Sequence, residues 1–379
     1  MYTSLNATIV AFNLFLAIKE ESHLKWTMIA DDLTGANDSG VQLAREGMAT
    51  TVFLDIDAIN RNNNDALVID TDSRLLPPQE AYERVFRAAG HMQGMQSEIV
   101  YKKMDSTLRG NIGAGLDAMF DAFNPDFVVI APSFPANGRT MREGNYYVHG
   151  KPLHESEAAR DPATPVKESH IPSLLKSQTK RGIHWFRASD LHDEAAFEKT
   201  LAACRAEKRQ YLLFDAETTD DLKRIVDRMR TFEGSVVWAG SAGLAQVLSA
   251  SSGGSAERMA KVSFENKGHR PVLLICGSVH RSTQEQVEHL LAYSDTESVE
   301  VRGEELLAQQ LRGEPHEINR VAHELKRIMK NGKHAVLHTC ADDESIRATA
   351  EIGAANGLVS IGSAISMILG QMAKRLIFD

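Results

Sequence analysis

The sequence has few cysteines, few aromatic side chains and no excess of positive charge. Its three cysteines, Cys204, Cys276 and Cys340, are far apart and form no CxxC or Cys/His spacing, which argues against a disulfide framework or a zinc site. We interpret them as small core residues of a protein in the reducing cytoplasm. The formal net charge is -9 at pH 7, and because nucleic-acid surfaces need clustered Lys and Arg, no nucleic-acid partner is expected.

The chain also lacks a clear export signal or membrane span. The apolar stretch 8–18 has no basic region before it and no small-residue cleavage site, and Asn13 interrupts it. It is too short to cross a bilayer. We therefore predict no membrane partner, and we interpret residues 1–24 as an extension before the first core strand, or as the result of a start codon placed too early.

With 379 residues, 43% of them hydrophobic and 25% charged, the chain suits a globular enzyme with two α/β domains. Short β-rich apolar runs alternate with helical patterns, which is typical of parallel sheets flanked by helices. We predict two domains, each a mostly parallel sheet flanked by helices, with the ligand cleft between them. Because a glycine-serine stretch begins at Ser249, we place the first domain at 25–249, a linker at 250–270 and the second domain at 271–379.

The strand predictions rest on β-rich apolar runs bounded by turn residues. They cover residues 26–30, 51–54, 66–70, 99–102, 127–131, 211–215 and 236–239 in the first domain, and 272–276 and 334–339 in the second. In an open parallel sheet the ligand lies beyond the carboxyl ends of the strands. The loops that leave these strands are therefore the places to look for function.

The loop after strand 26–30 is acidic. Asp31, Asp32 and Asp38 place three carboxylates within eight residues, and a purely structural turn has little reason to collect charges that repel one another. One of them could cap the following helix, with Thr34 or Asn37 as alternatives. The functional alternatives are that they accept hydrogen bonds from the vicinal hydroxyls of a polyol, with one acting as general base, or that they hold a hard cation such as Mg²⁺.

The loop after strand 99–102 combines Lys103, Asp105, Ser106 and Arg109 ahead of a helix. Cations and hydroxyls beside a helix N-terminus make a receptor for a carboxylate or a phosphate. We favour Arg109 as the residue whose guanidinium binds a substrate carboxylate through two hydrogen bonds. The alternative is that Lys103 and Arg109 pair with neighbouring aspartates in a structural ion network.

The loop after strand 127–131 contains two prolines and a glycine, which stiffen it and permit a tight bend. Such a loop can hold Asn137 and Arg139 in one orientation. Arg139 therefore becomes a second predicted anion contact. The nearby Asp161 and Pro162 are weaker signals.

Two glycine-serine turns directly follow apolar strands. One contains Ser241 and Gly243, and the other contains Gly277 and Ser278. Backbone N–H groups at such turns can cradle phosphate oxygens. The chain has no GxxxxGK(S/T) and no GxGxxG after a strand, which excludes a P-loop and a dinucleotide fingerprint.

Five strings occur in order along the chain: ADDLTGAND (30–38), KMDSTLRGNIG (103–113), PSFPANGRT (132–140), DPATPV (161–166) and GSAGLA (240–245). Together they resemble the four-carbon acid sugar kinase family from Trp26 to the end of the chain. The resemblance implies a two-domain kinase whose N-terminal domain binds an aldonic acid and whose C-terminal domain binds ATP with Mg²⁺. Phosphate goes to the C4 hydroxyl of D-threonate, D-erythronate or a 3-oxo-tetronate, and the second string is more like the threonate and erythronate kinases.

Carried over position by position, the resemblance assigns acid-site residues to the three loops and nucleotide-site residues to the turns. Asp32 becomes the base that orients the hydroxyl, with Asp31 as its helper or as a metal contact. Arg109 and Arg139 hold the carboxylate. The other predicted acid-site residues are Asn37, Asp38, Lys103, Asp105 and Ser106. The predicted nucleotide contacts are Ser278, which matches an ATP-contacting serine of the family, and Gly277, Ser241 and Gly243. A homodimer is the expected assembly.

The sequence departs from the family at its C-terminus. Family members continue into a strand, a Gly-Gly-Asp-Thr/Ser nucleotide loop and a Lys-containing, glycine-rich segment, and neither stretch follows in this chain. If the protein ends at Asp379, the resemblance implies an incomplete phosphate cradle. The leading interpretation is an ATP-dependent kinase of a four-carbon acid, with D-threonate first. The alternative is a non-catalytic hydroxy-acid-binding protein derived from a truncated kinase.

Overall fold

The computed structural model describes residues 24–59, 64–161, 164–250, 270–279, 281–314, 316–358 and 361–378. The chain divides into two compact units, unit 1 and unit 2, whose described parts lie within 24–250 and 270–378. The predicted extension 1–24 and the predicted linker 250–270 lie outside the described residues except at their end positions. The domain boundaries drawn from the sequence stay a prediction.

The strands of unit 1 are β1 (Trp26–Ala30), β2 (Thr50–Phe53), β3 (Ala66–Asp70), β4 (Ile99–Lys103), β5 (Phe127–Ala131), β6 (Arg139–Arg142), β7 (Asn145–Val148), β8 (Lys151–Pro152), β9 (Ile183–Phe186), β10 (Tyr211–Phe214) and β11 (Val236–Gly240). Eight of them form one sheet in the order β2-β3-β1-β4-β11-β5-β10-β9. Each neighbouring pair is parallel. The central strand β5, with the sequence FVVIA, is buried at every position, as expected where both faces of a parallel sheet are covered.

The helices of unit 1 are α1 (Leu33–Arg45), α2 (Pro78–Gln93), α3 (Ile112–Phe123), α4 (Ile171–Gln178), α5 (Glu194–Ala206), α6 (Thr219–Arg230) and α7 (Ala242–Ala250). Successive side chains of a strand point to opposite faces. In β1, Met28 accordingly lies in one buried hydrophobic cluster and Ile29 in the other. The sheet therefore separates two hydrophobic cores. Polar functional residues are expected in the loops at the ends of its strands.

A small antiparallel sheet, β6-β7-β8, follows β5. Glu143 and Gly144 connect β6 to β7 with φ angles of 46° and 73°, and two successive positive φ values are typical of a tight hairpin turn. Asp215, directly after β10, accepts hydrogen bonds from the Gly144 N–H at 3.2 Å and from Trp185 Nε1 at 3.0 Å. The hairpin is thereby fixed near the carboxyl ends of β5 and β10. These strands were not among the sequence predictions.

Unit 2 contains β12 (Leu273–Cys276), β13 (Thr296–Val301) and β14 (His334–Thr339), with α8 (Arg281–Leu291), α9 (Gly303–Arg312), α10 (His316–Lys330), α11 (Asp343–Ala355) and α12 (Ile361–Phe378). Its parallel sheet has the order β12-β14-β13. The central strand β14 is buried, whereas the edge strand β12 is partly exposed. Cys276, at the end of β12, is therefore only partly buried, and its interpretation as a core residue was wrong. Cys204 and Cys340 are buried.

The predicted fold class is confirmed, because each unit has a parallel sheet with flanking helices. Strands β1, β3, β5 and β14 have the predicted bounds, whereas β9 and β13 were not predicted. The ligand cleft between the domains stays a prediction. Among the helices that the structure describes, none has the length and apolar character needed to cross a membrane.

Candidate functional site

Five neighbouring strands at the centre of the unit 1 sheet end at the same edge. They lie in the order β3, β1, β4, β11 and β5. Because all five run parallel, their carboxyl ends bring the following loops together. All three loops that the sequence assigned to an acid site leave this edge.

Asp32 begins helix α1 as its N-cap residue. Its Oδ1 accepts a hydrogen bond from the Gly35 N–H at 2.9 Å, so the capping alternative applies to Asp32. A Cβ on residue 35 would lie 2.6 Å from that oxygen and 3.0 Å from Lys103 Nζ. Glycine at this position therefore lets α1 start close to both groups. Asp31, one residue earlier, is buried.

Arg74, which the sequence analysis missed, connects the carboxylates of two loops. Its Nε lies 3.0 Å from Asp31 Oδ2, and its Nη2 lies 2.6 Å from Asp32 Oδ1 and 3.5 Å from Asp105 Oδ1. Burial opposes the charge of Arg74, but the neighbouring charges of Asp31 and Asp105 raise the pKa of Arg74 above its ordinary value. The signal that could have found it is its place in the loop after predicted strand 66–70.

Arg109 is engaged on both sides by carboxylates of the chain. Its Nε and Nη2 donate to Asp105 at 2.7 and 3.1 Å, and its Nη1 donates to Asp161 Oδ2 at 2.9 Å. Burial alone would raise the pKa of Asp105, but hydrogen bonds from Arg109 and the charge of Arg74 hold it well below the usual range. These contacts match the alternative drawn from the sequence, in which Arg109 pairs with aspartates in a structural ion network. Binding of a substrate carboxylate by Arg109 stays a prediction.

Two consecutive lysines of β4 end near this network. Lys103 Nζ donates to the Met104 carbonyl at 2.8 Å, and Lys102 Nζ donates to the Lys103 carbonyl at 3.0 Å. Lys102 is 4% exposed, and burial lowers its pKa to about 8. The predicted residue Lys103 therefore lies beside the start of α1, while Lys102 was not predicted.

Tyr146 of β7 joins the second loop to the third. Its hydroxyl lies within hydrogen-bond distance of the carbonyl oxygens of Ser106, at 2.8 Å, and Pro132, at 3.0 Å. Arg139, the first residue of β6, donates from Nη1 to the Asn137 carbonyl at 2.8 Å. Among the described residues, Arg139 Nε is buried without a hydrogen-bond partner. Burial raises the pKa of Tyr146 above its usual value, and the charges of Arg139 and Asp105 both act on it. Tyr146 thus joins the second loop to the third, and Arg74 joins the first to the second, so the three loops converge.

Two predicted acid-site residues lie away from this cluster. Asn37 and Asp38 are in the second turn of α1, and both are exposed. The Asp38 carbonyl accepts a hydrogen bond from Gln42 Nε2 at 3.3 Å. Their contact with a ligand stays a prediction, and within the described part of the chain neither side chain hydrogen bonds to Arg74 or Arg109.

Ser241 and Gly243, which were predicted to contact nucleotide, lie in unit 1 after β11. Ser241 Oγ donates to the Ser133 carbonyl at 2.8 Å, and the Ser241 carbonyl accepts from the Tyr101 hydroxyl at 2.6 Å. A Cβ on residue 243 would lie 2.7 Å from Phe134 Cδ2. These contacts fasten the third loop to the sheet, and a nucleotide contact stays a prediction.

Gly277 and Ser278 follow β12 at the carboxyl edge of the unit 2 sheet. Both are exposed. The Ser278 carbonyl accepts a hydrogen bond from Gln284 Nε2 at 3.0 Å, and a Cβ on residue 277 would lie 3.0 Å from Leu369 Cδ1. The turn is therefore held by α8 and packed against α12, with its outer side open to a ligand.

The alternative that the acidic loop holds Mg²⁺ does not fit this geometry. The guanidinium of Arg74 contacts both Asp31 and Asp32, so a cation of the chain itself stands beside these oxygens. Within the described ranges, no group of three or more His, Cys, Asp or Glu side chains is placed to hold a metal ion.

Two family models match the chain. A model described as a sugar-binding N-terminal domain matches residues 26–248. A model described as a nucleotide-binding C-terminal domain matches residues 273–379. The charged edge described above lies within the first match, and the turn at Gly277 and Ser278 lies within the second.

Curated relatives include kinases of several four-carbon acids. A D-threonate kinase of Salmonella typhimurium is 31% identical over 93% of this chain and 81% of the relative. A D-erythronate kinase of Heliobacterium modesticaldum is 36% identical over 69% of this chain and 59% of the relative. A 3-oxo-tetronate kinase of Escherichia coli is 28% identical over 93% of this chain and 89% of the relative.

Solved structures share the fold. A protein of Salmonella typhimurium LT2 gives a TM-score of 0.73 at 25% identity and covers 93% of this chain and 82% of that one. A Haemophilus influenzae protein gives a TM-score of 0.67 at 25% identity, with 92% and 82% covered. A Bordetella bronchiseptica protein, crystallised with bound citrate as a domain-swapped dimer, gives a TM-score of 0.52 at 27% identity, with 94% and 80% covered.

Proposed function

The chain belongs to the four-carbon acid sugar kinase family, and from this premise we propose that it transfers the terminal phosphoryl group of ATP to the C4 hydroxyl of a four-carbon sugar acid. We propose D-threonate as the substrate, with D-erythronate and then a 3-oxo-tetronate as the alternatives to test. D-Threonate is placed first because a D-threonate kinase is 31% identical over 93% of this chain, whereas the D-erythronate kinase, at 36%, aligns over 69% and the 3-oxo-tetronate kinase that aligns over 93% is 28% identical.

The observation that carries the proposal is the meeting of three strand exits at one edge of unit 1. Arg74 joins Asp31 and Asp32 to Asp105, and Tyr146 joins the second loop to the third. The edge therefore offers carboxylate acceptors for hydroxyl groups beside cations for an acid group. A small polyhydroxylated carboxylate matches both.

Arg139 differs from the other cations of this edge in its partners. The ion network contains the carboxylates Asp31, Asp32, Asp105 and Asp161 and the cations Arg74, Arg109, Lys102 and Lys103. Asp70, at the end of β3, adds a further carboxylate near Asp31 and Asp32. Arg139 is the further cation, and it makes no ion pair with the part of the chain that the structure describes. We propose that Arg139 receives the substrate carboxylate.

The proposed chemistry is positioning followed by in-line transfer. Asp32 orients the C4 hydroxyl and accepts its proton as the oxygen attacks the phosphorus, with Asp31 as its helper. Arg139 fixes the other end of the acid, and Lys103 Nζ, close to the start of α1, adds positive charge where the transferred phosphoryl group must approach. Expelling water from this edge would strengthen each of these interactions.

We place the nucleotide site in unit 2. The backbone N–H groups at Gly277 and Ser278 follow a parallel strand, where phosphate oxygens are commonly bound. We keep Ser241 and Gly243 as secondary candidates, since their side chains pack within unit 1. Mg²⁺, held by the phosphates of the nucleotide, would supply charge neutralisation.

The expected setting is a cytoplasmic homodimer. The related Bordetella bronchiseptica protein is a domain-swapped dimer with bound citrate. Citrate is itself a hydroxy acid, so that structure supports both parts of the proposal, a dimeric assembly and a site for a small hydroxy acid.

A coupled assay of ADP release tests the function. With D-threonate, D-erythronate and a 3-oxo-tetronate as acceptors, we expect D-threonate to give the highest kcat/KM, and we expect both the acid and Mg-ATP to raise the melting temperature. Stabilisation by the acid, without nucleotide binding or turnover, would support a non-catalytic hydroxy-acid-binding protein instead. A response to neither ligand would contradict both.

A further inference from the structure

We infer that Arg74 is a positioning residue of the acid site, which locks Asp32 through one carboxylate oxygen so that the other faces the substrate hydroxyl. The inference rests on the proposed function and deepens it, because it names the residue that makes Asp32 selective for a hydroxyl at C4. The sequence motifs assign no role to Arg74.

Asp32 makes its side-chain contacts with the described residues through one carboxylate oxygen. Its Oδ1 accepts the Gly35 N–H at 2.9 Å and lies 2.6 Å from Arg74 Nη2. Its Oδ2 accepts no hydrogen bond from any residue that the structure describes. The Asp32 side chain is 24% exposed, so a ligand can reach it. A carboxylate held at one oxygen presents the other in a fixed direction, which is what an acceptor for a single hydroxyl requires.

Asp31 helps to hold the guanidinium of Arg74 in place. Both of its oxygens accept from Arg74, at 3.0 Å from Nε and 3.3 Å from Nη2. This paired contact fixes the plane of the guanidinium, since two parallel N–H donors match one carboxylate. Arg74 thereby fixes the position of Asp32 relative to Asp31. Its contact with Asp105 at 3.5 Å connects the two aspartates of the first loop to the second loop.

The loop that carries Arg74 is itself held rigidly. The N–H groups of Ser73 and Arg74 donate to the Asp31 carbonyl at 2.9 and 3.2 Å. Asn111 Nδ2 lies within hydrogen-bond distance of three carbonyl oxygens of the loop, the shortest contact being 2.7 Å to Leu76. Gly110 has a φ of +80°, and a Cβ there would lie 2.7 Å from Arg74 Cγ. The close approach of these residues leaves the Arg74 side chain little freedom.

A lysine at position 74 would keep the charge and lose the fork, because an ammonium group cannot bridge two carboxylates in one plane. The test compares Arg74→Lys with Arg84→Lys. Arg84 is a matched control, since its Nη1 donates to the Thr71 and Asp72 carbonyls of the same loop at 3.2 and 3.3 Å, and it is exposed.

The readout is discrimination between D-threonate and its 4-deoxy analogue, measured by calorimetry without nucleotide. We expect the unaltered protein and Arg84→Lys to bind D-threonate about tenfold more tightly than the analogue, as for a hydrogen bond to a charged acceptor. In Arg74→Lys the preference should fall to about twofold or less, with the affinity for ATP unchanged. A purely structural role for Arg74 would weaken both acids by the same factor, and an unchanged preference in Arg74→Lys would overturn the inference.

A second variant covers the case in which Arg74→Lys does not fold. Asn111→Ala leaves every charge in place and loosens only the loop that carries Arg74. We expect it to lose part of the preference for the 4-hydroxyl, and full retention would contradict the inference. Failure of the proposed function is distinguishable from these outcomes, because it would appear in the unaltered protein as an absence of turnover with D-threonate and ATP, not as a difference between the variants.

Discussion

The carboxyl edges of the two sheets differ in how their charges are held. In unit 1, Asp105 and Lys102 are more than nine-tenths buried within an ion network. In unit 2, the comparable pair at the ends of β13 and β14, Arg302 and Asp342, is 38% and 47% exposed and 3.7 Å apart. Burial strengthens electrostatic interactions and exposure weakens them. The charged side chains of unit 1 therefore hold one another in place, whereas the turn at Gly277 and Ser278 of unit 2, which we propose as the nucleotide site, is exposed.

The largest effect should come from Asp32→Asn. Removing the proton acceptor while keeping the cap at the start of α1 should lower kcat by about 100-fold or more, with acid affinity changed only a few-fold. A coupled assay measures this, and near-normal kcat would remove Asp32 from the base role. Asp193→Asn is the control, because Asp193 caps α5 in the same way, accepting from the Ala196 N–H at 3.1 Å, away from the site.

The next comparison separates the two predicted carboxylate-binding arginines. Arg139→Met should raise the KM for the acid about tenfold or more, because it removes a cation that forms no ion pair with the described residues, and it should leave the melting temperature nearly unchanged. Arg109→Met should instead lower the free energy of unfolding by about 3 kcal/mol, since it leaves Asp105 buried with less compensation. Equal effects of the two substitutions on KM would contradict this division of roles.

A third prediction uses the buried lysine of unit 1. The pKa of Lys102 is about 8 in the folded protein, where burial lowers it from 10.5. Between these values the unfolded chain binds a proton that the folded chain does not, so the free energy of unfolding should rise with pH, by about 3 kcal/mol over the full window. Denaturation by urea at pH 8.0 and 9.5, followed by tryptophan fluorescence, measures part of this rise.

The fluorescence reports unit 1 specifically, because the three tryptophans of the chain, Trp26, Trp185 and Trp238, all lie in it. Lys102→Met should remove the pH-dependent rise, since it has no proton to release. A rise of the same size in Lys102→Met would assign the effect to another group.

The smallest effects should distinguish the two glycine-serine turns. Ser278→Ala should weaken ATP binding by about threefold, without changing the melting temperature of the ligand-free protein. Ser241→Ala should lower stability by about 1 kcal/mol, because the Ser133 carbonyl loses its buried donor, and should leave ATP affinity unchanged. Calorimetry with ATP measures the affinity of both variants. Weaker ATP binding in Ser241→Ala, with unchanged binding in Ser278→Ala, would instead place Ser241 in the nucleotide site.

The sequence was sufficient to predict seven of the eight strands of the unit 1 sheet, all except β9, and the loops that leave them. Apolar runs such as FVVIA of β5 are buried on both faces, and such runs are readable from residue type alone. The hairpin β6-β7 was missed because its strands are short and polar, although the Glu143-Gly144 turn was a usable signal. Strand β13 alternates buried and exposed residues at four of its positions, and that pattern was overlooked.

The candidate site was predictable at the level of loops but not of partners. Asp31, Asp32, Asp105, Arg109 and Arg139 were all selected as candidates, because ligands of parallel sheets bind at the strand exits; their roles stay predictions. The arginines pair with carboxylates that are distant in sequence. Arg74 and Asp31 are 43 residues apart, and Arg109 and Asp161 are 52 residues apart. One sequence does not encode such pairings in any local pattern, so Arg74 was not predicted and the ion pairs of Arg109 with Asp105 and Asp161 could not be distinguished from a contact with the substrate.

The most direct test is a crystal structure of the chain with D-threonate bound. The account predicts the acid at the carboxyl edge of the unit 1 sheet, with its carboxylate on Arg139 and its C4 hydroxyl donating to Asp32 Oδ2. D-Threonate bound at a place that touches neither residue, with the contacts of Arg74 unchanged, would contradict it.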